Sequence, residues 1–186
     1  MKTPRIKSER LVLDALTSDD ADTVFRYCQD AQLQRWVPIP VPYDRASAEF
    51  FAGPYSLDAA TSKSFTLWAI RANGALVGAI ELRHEELASA SVGYWLGHEH
   101  RGRGIMTEAL GILIEYAFDE AGFALQRMHW QAVVGNYASG IVARRNGFTF
   151  EGTGRGALPF RGKRVDAWQA TLLAEDSRDP VDGWPL

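Results

Sequence analysis

Apolar and polar residues alternate over 9–16 (Glu-Arg-Leu-Val-Leu-Asp-Ala-Leu), which predicts a first strand. Thr17-Ser18-Asp19-Asp20 then supplies capping groups and acids suited to a helix dipole, so a helix is expected to about Gln29. Residues 31–43 hold three prolines and Trp36 and read as an irregular loop. A short helix is expected over 46–57, interrupted by Gly53-Pro54. Strands follow at 65–71 and 75–83, and Asn73-Gly74 between them is a hairpin signal. Residues 85–90 form a polar connection into a strand ending at Leu96. Ile105/Met106, Ala109/Leu110, Leu113/Ile114 and Ala117/Phe118 recur every four residues, an apolar helical stripe that Gly122 is placed to end. A strand is expected at 127–134, and a helix over 136–146, capped by Asn136 and stopped by Gly147. Strands at 148–151 and 165–173 are separated by a glycine-rich polar turn, and the tail from Ala174 reads as irregular. The order β-α-α-β-β-β-α-β-α-β-β predicts one α+β (mixed α/β) domain over 1–186, with a mostly antiparallel central sheet of about seven strands and about four helices.

Composition narrows the class without naming a chemistry. The 186 residues are 46% hydrophobic and 23% charged, ordinary for a globular chain with a real core. A net charge of −3 gives no electrostatic argument for nucleic acid or an anionic membrane. Cys28 is the only cysteine, so no internal disulfide can form. No signal-type apolar run and no apolar stretch of about 20 residues occurs, so a cytoplasmic soluble protein is expected.

The chemistry-bearing stretch runs from His98 to Leu110, where a strand, a glycine-rich turn and a helix start follow one another. Unpaired backbone N–H groups at a helix N-terminus carry partial positive charge and bind phosphate. Gly102-Arg103-Gly104 lacks the Lys-Ser/Thr of a nucleotide-hydrolysing P-loop and the third glycine of a dinucleotide fingerprint. Gly152-Thr153-Gly154-Arg155-Gly156 has no helix pattern after it, and no G-x-S-x-G elbow occurs. His98 and His100 have no Cys or acidic cluster to complete a metal shell, so no metal is expected. A cofactor held by its pyrophosphate, reacting elsewhere along its length, suits what remains.

The run Gly93-Tyr94-Trp95-Leu96 … Arg101-Gly102-Arg103-Gly104-Ile105 resembles the coenzyme-A-binding motif of the GNAT superfamily of N-acyltransferases, Q/R-x-x-G-x-G/A. Gly102 and Gly104 match its glycines, and Glu99 stands where Gln or Arg is usual. Asn136-Tyr137-Ala138-Ser139 … Gly147-Phe148 resembles the family's N-x-x-S/A helix ending in G-F. The likeness is greatest to the RimJ/RimL branch of ribosomal-protein N-terminal acetyltransferases, also through 10–13, 151–155 and 161–166. Residues 31–62 and the tail match least, and Ala167 replaces a common His.

The resemblance implies acetyl-CoA as cosubstrate, bound by Trp95, Leu96, Arg101, Gly102, Arg103, Gly104, Ile105, Asn136 and Ser139. It implies direct attack by a primary amine in a ternary complex, Cys28 having no motif for a covalent intermediate. Many members carry a tyrosine for the leaving thiolate; that slot is Ala143 here, and Ser139 is the expected substitute. An α-amine, with a pKa of about 7.7–8.0, needs less help from a base than a lysine at about 10.4. Glu81, His84 and Asp166 are candidate bases, and Arg35, Trp36, Trp68, Tyr94 and Asp166 candidate acceptor contacts. Plainer readings stand beside these: Asn136 as helix cap, Ser139 as first-turn residue, Glu81 and His84 on a solvated strand face, Tyr94 as packing. Trp95, Trp130 and Trp168 read as core. The acceptor is a protein N-terminus or a small-molecule amine, the rival is a non-catalytic acyl-CoA-binding module, and the aromatics leave room for a homodimer.

Overall fold

Asn73 and Gly74 take positive φ values of +49° and +78°, the paired left-handed conformation that a two-residue hairpin turn demands. They join β3 (Phe65–Ala72) to β4 (Ala75–Glu85), the antiparallel centre around which the chain folds. In this computed structural model, which describes residues 3–186, the described residues form one eight-stranded sheet. Its order is β1 (Ile6–Lys7), β2 (Leu11–Asp14), β3, β4, β5 (Ser89–Leu96), β6 (Arg127–Val133), β8 (Lys163–Leu173), β7 (Thr149–Phe160). The expected mixed, mostly antiparallel architecture is the one found. The expected first strand is β2, shortened to Leu11–Asp14, and a short strand not expected from the sequence, β1, precedes it and pairs with it where the chain turns back between Lys7 and Leu11.

Only β5 and β6 run parallel, and their pairing covers Ser89↔Arg127 to Val92↔Trp130 and then stops. β5 continues to Leu96 and β6 to Val133, so the two strands splay apart and open a wedge in the sheet. Gly97 N–H donates to the Val77 carbonyl at 2.9 Å. Backbone groups alternate in direction along a strand, so Trp95 and Gly93 also turn toward β4, and Tyr94 and Leu96 turn toward the wedge.

Helices cover both faces. On one, α5 (Ile105–Phe118) and α6 (Tyr137–Arg145) bury Leu110, Leu113, Ile114 and Ala143 against Ile80, Leu82, Val92 and Trp130. On the other, α1 (Ala21–Cys28), α2 (Ala31–Trp36), α3 (Arg45–Phe50) and α4 (Ser56–Thr61) bury Val24, Leu33, Ala48 and Ala59 against Leu67, Ala69 and Ala79. Each fully buried leucine stabilises the fold by about 1.5–3 kcal/mol.

Four local expectations are corrected. Residues 31–36 are helical, because the Asp30 carboxylate accepts the Leu33 N–H at 3.0 Å and the prolines begin only at Pro38. Gly53-Pro54 does not break the helical path: a π-turn at Phe51–Tyr55 leads α3 into α4, and its wider winding accommodates a residue without an N–H. α5 ends at Asp119 rather than Gly122. The glycine-rich segment after 151 is strand, not turn: β7 runs on to Phe160 with register shifts at Phe150/Gly152 and Gly154/Leu158, and the reversal falls at Arg161-Gly162.

Candidate active site

At the mouth of the wedge, β5 leads through a single 3-10 turn at His98–His100 into Gly102 and Gly104, with φ of +73° and +74°. The first carbonyl to accept within α5 is that of Gly104, from Glu108 N–H at 3.0 Å, so the N–H groups of Ile105, Met106 and Thr107 have no intrahelical acceptor. A Cβ at either glycine would meet no protein atom within 4 Å. Packing does not require these glycines; the left-handed backbone does, and the open space above it admits a ligand. Open N–H donors at the positive end of a 14-residue helix fit a pyrophosphate. The Glu108 side chain faces away from this duty, held by Ser8 at 2.6 Å and by Arg10.

Two charged residues here do something other than grip. The Arg101 guanidinium pairs with Asp30 at 2.6 Å and donates to the Leu96 carbonyl at 3.1 Å. Its side chain therefore braces the turn against the start of α2. Glu99 pairs with Arg26 of α1 at 2.7 Å, and that hydrogen bond holds its carboxyl below the usual range. An acid where the family carries Gln or Arg thus ties α1 to the cradle.

Across the wedge, Asn136 caps α6 by accepting the Ser139 N–H at 3.3 Å. Tyr94 reaches over from β5, and its hydroxyl donates to the Ser139 carbonyl at 3.0 Å. The Ser139 hydroxyl oxygen accepts from the Trp130 indole N–H at 3.2 Å. Among the described residues its own proton has no acceptor, so it is available to a ligand in the wedge. Ala143, one turn on, is fully buried in the core and carries no hydroxyl to offer the site. Trp130 is also buried and lies against Trp184 of the tail, ring centroids 5.4 Å apart, while the Trp184 N–H donates to the Phe148 carbonyl at 3.1 Å. Leu186 sits against Gly140 of α6.

On the opposite face of the sheet, Glu81 of β4 stands beside Gly93 of β5. Its carboxylate accepts the Tyr55 hydroxyl at 2.7 Å and pairs with Arg83 at 2.8 Å. Burial, together with that carboxylate, pushes the Tyr55 phenol up to about 12. α2 lies over the mouth. Its start is tied to Arg101, and Trp36 at its end comes within 3.8 Å of where a Gly135 Cβ would stand. Arg35 stacks on Trp36 at 4.7 Å, and Arg161 from the β7–β8 hairpin donates to the Gln34 carbonyl.

Several expected site residues are placed elsewhere. Trp68 is fully buried, with its N–H on the Pro4 carbonyl at 2.8 Å, and belongs to the core rather than to an acceptor pocket. His84 lies on the α5 face, against Phe123 and 3.0 Å from the Thr66 hydroxyl, so it is on the wrong side to act with Glu81. Burial lowers its pKa. Trp95 turns its backbone to β4 and offers the wedge no main-chain contact, its ring packing beside Tyr27 and Phe51. Asp166 accepts the Gly156 N–H at 2.8 Å and pins the β7 bulge. Cys28 is buried, and burial pushes its thiol up to about 11, an inert state. Trp130 and Tyr55 hydrogen-bond Ser139 and Glu81 but read in sequence as strand core and as part of a helix; the one signal is that a buried Trp N–H needs a partner.

The acetyltransferase (GNAT) domain model matches residues 10–149. The chain belongs to that family. Among its relatives, YdaF of Bacillus subtilis strain 168 is 38% identical over 106 residues, 56% of this chain and 57% of YdaF. The ribosomal-protein-serine acetyltransferase of Escherichia coli strain K12 is 39% identical over 79 residues, 41% of this chain and 43% of the relative. The chain thus spans about half the length of these curated relatives. The solved structure of RimL, a ribosomal L7/L12 α-N-protein acetyltransferase in complex with coenzyme A, superposes with a TM-score of 0.80 at 23% identity, covering 91% of this chain and 98% of that one. The fold is therefore that of the GNAT acetyltransferases. No helix among the described residues is long and apolar enough to cross a membrane.

Proposed function

We propose that this GNAT chain transfers the acetyl group of acetyl-CoA to a primary amine, and that the amine is a protein N-terminal α-amine. The observation that carries the reading is the wedge between β5 and β6, with the Gly102–Gly104 cradle at its mouth and the free Ser139 hydroxyl across it. The RimL neighbour holds coenzyme A and acts on a protein α-amine by its description, and the Escherichia coli relative is named for a ribosomal-protein serine. Those descriptions support the acceptor class.

The thioester supplies an activated acetyl group and a thiolate leaving group. The N–H groups of Gly102 to Thr107 hold the pyrophosphate, and Tyr94 and Leu96 present backbone groups to the pantetheine. A backbone N–H aimed at the acyl oxygen contributes about 2.7–4 kcal/mol to such a transfer. The Ser139 hydroxyl donates to the departing sulfur. Glu81, set by Tyr55 and Arg83 on the side where the amine enters, takes the amine proton through a water. The single buried cysteine accords with a reducing, cytoplasmic setting.

Free thiol is followed while the protein is incubated with acetyl-CoA and a panel of peptides and small amines. Release that depends on peptides with free α-amines is expected, and loss of release on blocking those amines confirms the acceptor. Coenzyme A binding without release for any amine would overturn the transferase reading in favour of a binding module.

A further inference from the structure

The hairpin that overhangs the acceptor side carries charge that the chain as a whole does not. Residues 152–165 contain Arg155, Arg161, Lys163 and Arg164 and no acid, in a chain of net charge −3. Arg35 of α2 stands one residue from Gln34, which Arg161 touches. None of these five cations forms an ion pair among the described residues. Arg161 and Arg164 spend their donors on neutral carbonyls of Gln34, Gly156 and Ala157. Among the described residues none of the five has a salt-bridge partner, the Asp166 carboxylate being taken up by the Gly156 N–H, whereas Arg26 and Arg101 beside the cradle each have an acid partner.

The arm is held in place. Asp166 accepts the Gly156 N–H at 2.8 Å, and Arg164 donates to the Gly156 carbonyl at 2.8 Å, so both sides of that peptide are fixed. The tip reaches α2, whose Trp36 lies beside Gly135 and hence beside the Asn136 cap. An acceptor that enters the wedge beneath α2 passes the hairpin tip, which touches α2 at Gln34 beside Arg35 and Trp36. Glu81 is itself charge-matched by Arg83, so the mouth is not acidic overall.

We propose that residues 155–164 and Arg35 form a docking arm for an acidic segment that follows the acceptor α-amine, so that the preferred substrate is a peptide or protein with aspartates or glutamates near its N-terminus. The proposal rests on the transferase reading above. Fixed like charges at a site mouth raise encounter rates with opposite charge by about 10- to 1,000-fold, and the effect fades as salt shortens the screening length.

Three hexapeptides sharing one N-terminal residue, with acidic, amide-isosteric or basic residues behind it, are compared by thiol release. The acidic peptide should exceed the amide isostere by at least about tenfold in kcat/KM at low salt, and the ratio should fall toward one at about 1 M salt, where screening acts within about 3 Å. In the Arg155→Gln/Lys163→Gln variant the same ratio should collapse while coenzyme A affinity holds. Equal kcat/KM for the acidic and amide peptides, or a preference that survives the double variant, would overturn the arm and leave the transferase reading standing. If no peptide releases thiol, the transferase reading fails, and anisotropy of a labelled acidic peptide on the coenzyme-A-loaded protein decides the arm: salt-sensitive binding weakened by the double variant supports it, and indifference to either refutes it.

Discussion

Trp130 tests whether Ser139 works as a prepared donor or as an ordinary first-turn residue. The indole N–H donates to the Ser139 oxygen at 3.2 Å, while the hydroxyl proton remains free. A hydroxyl that accepts one hydrogen bond donates a stronger one, and the indole also fixes where the oxygen sits. Ser139→Ala removes a hydrogen bond to a developing thiolate, about 1.5–3 kcal/mol, which slows kcat by about 10- to 150-fold. Trp130→Phe keeps an aromatic ring against Trp184 but deletes the N–H. A neutral hydrogen bond of about 0.5–1.5 kcal/mol corresponds to a loss of about 2- to 12-fold in kcat. The decisive measurement is the cycle. In the Ser139→Ala background, Trp130→Phe should cost no further kcat, because the group it positions is gone. Trp130 is buried, so the variant also lowers the melting midpoint, and that loss should be the same in both backgrounds. If the kcat effects of the two substitutions multiply, Trp130 acts through packing alone and the positioning argument is wrong.

Three other outcomes follow from the geometry. Gly104→Ala places a side chain at φ +74°, a conformation costing an L-residue about 1–2 kcal/mol; isothermal titration should show coenzyme A affinity reduced about 5- to 30-fold with little change in kcat at saturation. Glu81→Gln keeps an acceptor for Tyr55 but removes the base, so kcat/KM against pH should fall most below the amine pKa of about 7.7–8.0 and approach the parent above it; parallel profiles would remove Glu81 from proton transfer. Arg71 pairs with Asp14 at 2.7 Å and Asp20 at 2.8 Å in a mostly buried cluster, and Arg71→Met should cost about 3–5 kcal/mol, or about 6–20 °C of melting midpoint. Burial alone would raise the Asp20 carboxyl, but hydrogen bonds from Arg71 and Thr17 hold it low. A depressed folded pKa stabilises above the unfolded value of about 3.9 and is lost as pH falls through the folded one, so the variant should unfold at higher pH on acid titration.

The family and the glycine turn before α5 were legible because both depend on backbone conformation that sequence encodes locally. Gly102 and Gly104 announce positive φ, Asn73-Gly74 announces the hairpin, and the four-residue stripe from Ile105 announces α5. What escaped depended on partners distant in the chain. Nothing near Trp68 says that its N–H will meet the Pro4 carbonyl, 64 residues away. Nothing near His84 says which face of β4 it shares, since Ile80, Leu82 and His84 alternate with Ala79, Glu81 and Arg83 and both sets are mixed. α2 was hidden because three prolines just beyond it suggested loop, although the Asp30 cap lay in plain view.

The same long-range pairing explains how an acid is tolerated at the rim of a phosphate site. Glu99 alone would repel a pyrophosphate, and Arg101 alone would attract one. Each is neutralised by a partner from the helical layer opposite: Glu99 by Arg26 of α1, Arg101 by Asp30 at the cap of α2. The two pairs cancel as charges but act together as braces, fixing the 98–101 turn against α1 and α2. Arg103 is then the one arginine of this loop without an acid partner among the described residues. Where the family pattern carries Gln or Arg, this chain carries Glu99 in an ion pair that holds the turn and leaves the backbone N–H groups at the start of α5 open. The rigidity of the cradle and the position of the α2 roof over the acceptor mouth are consequently one structural fact, because the Arg101–Asp30 contact sets both.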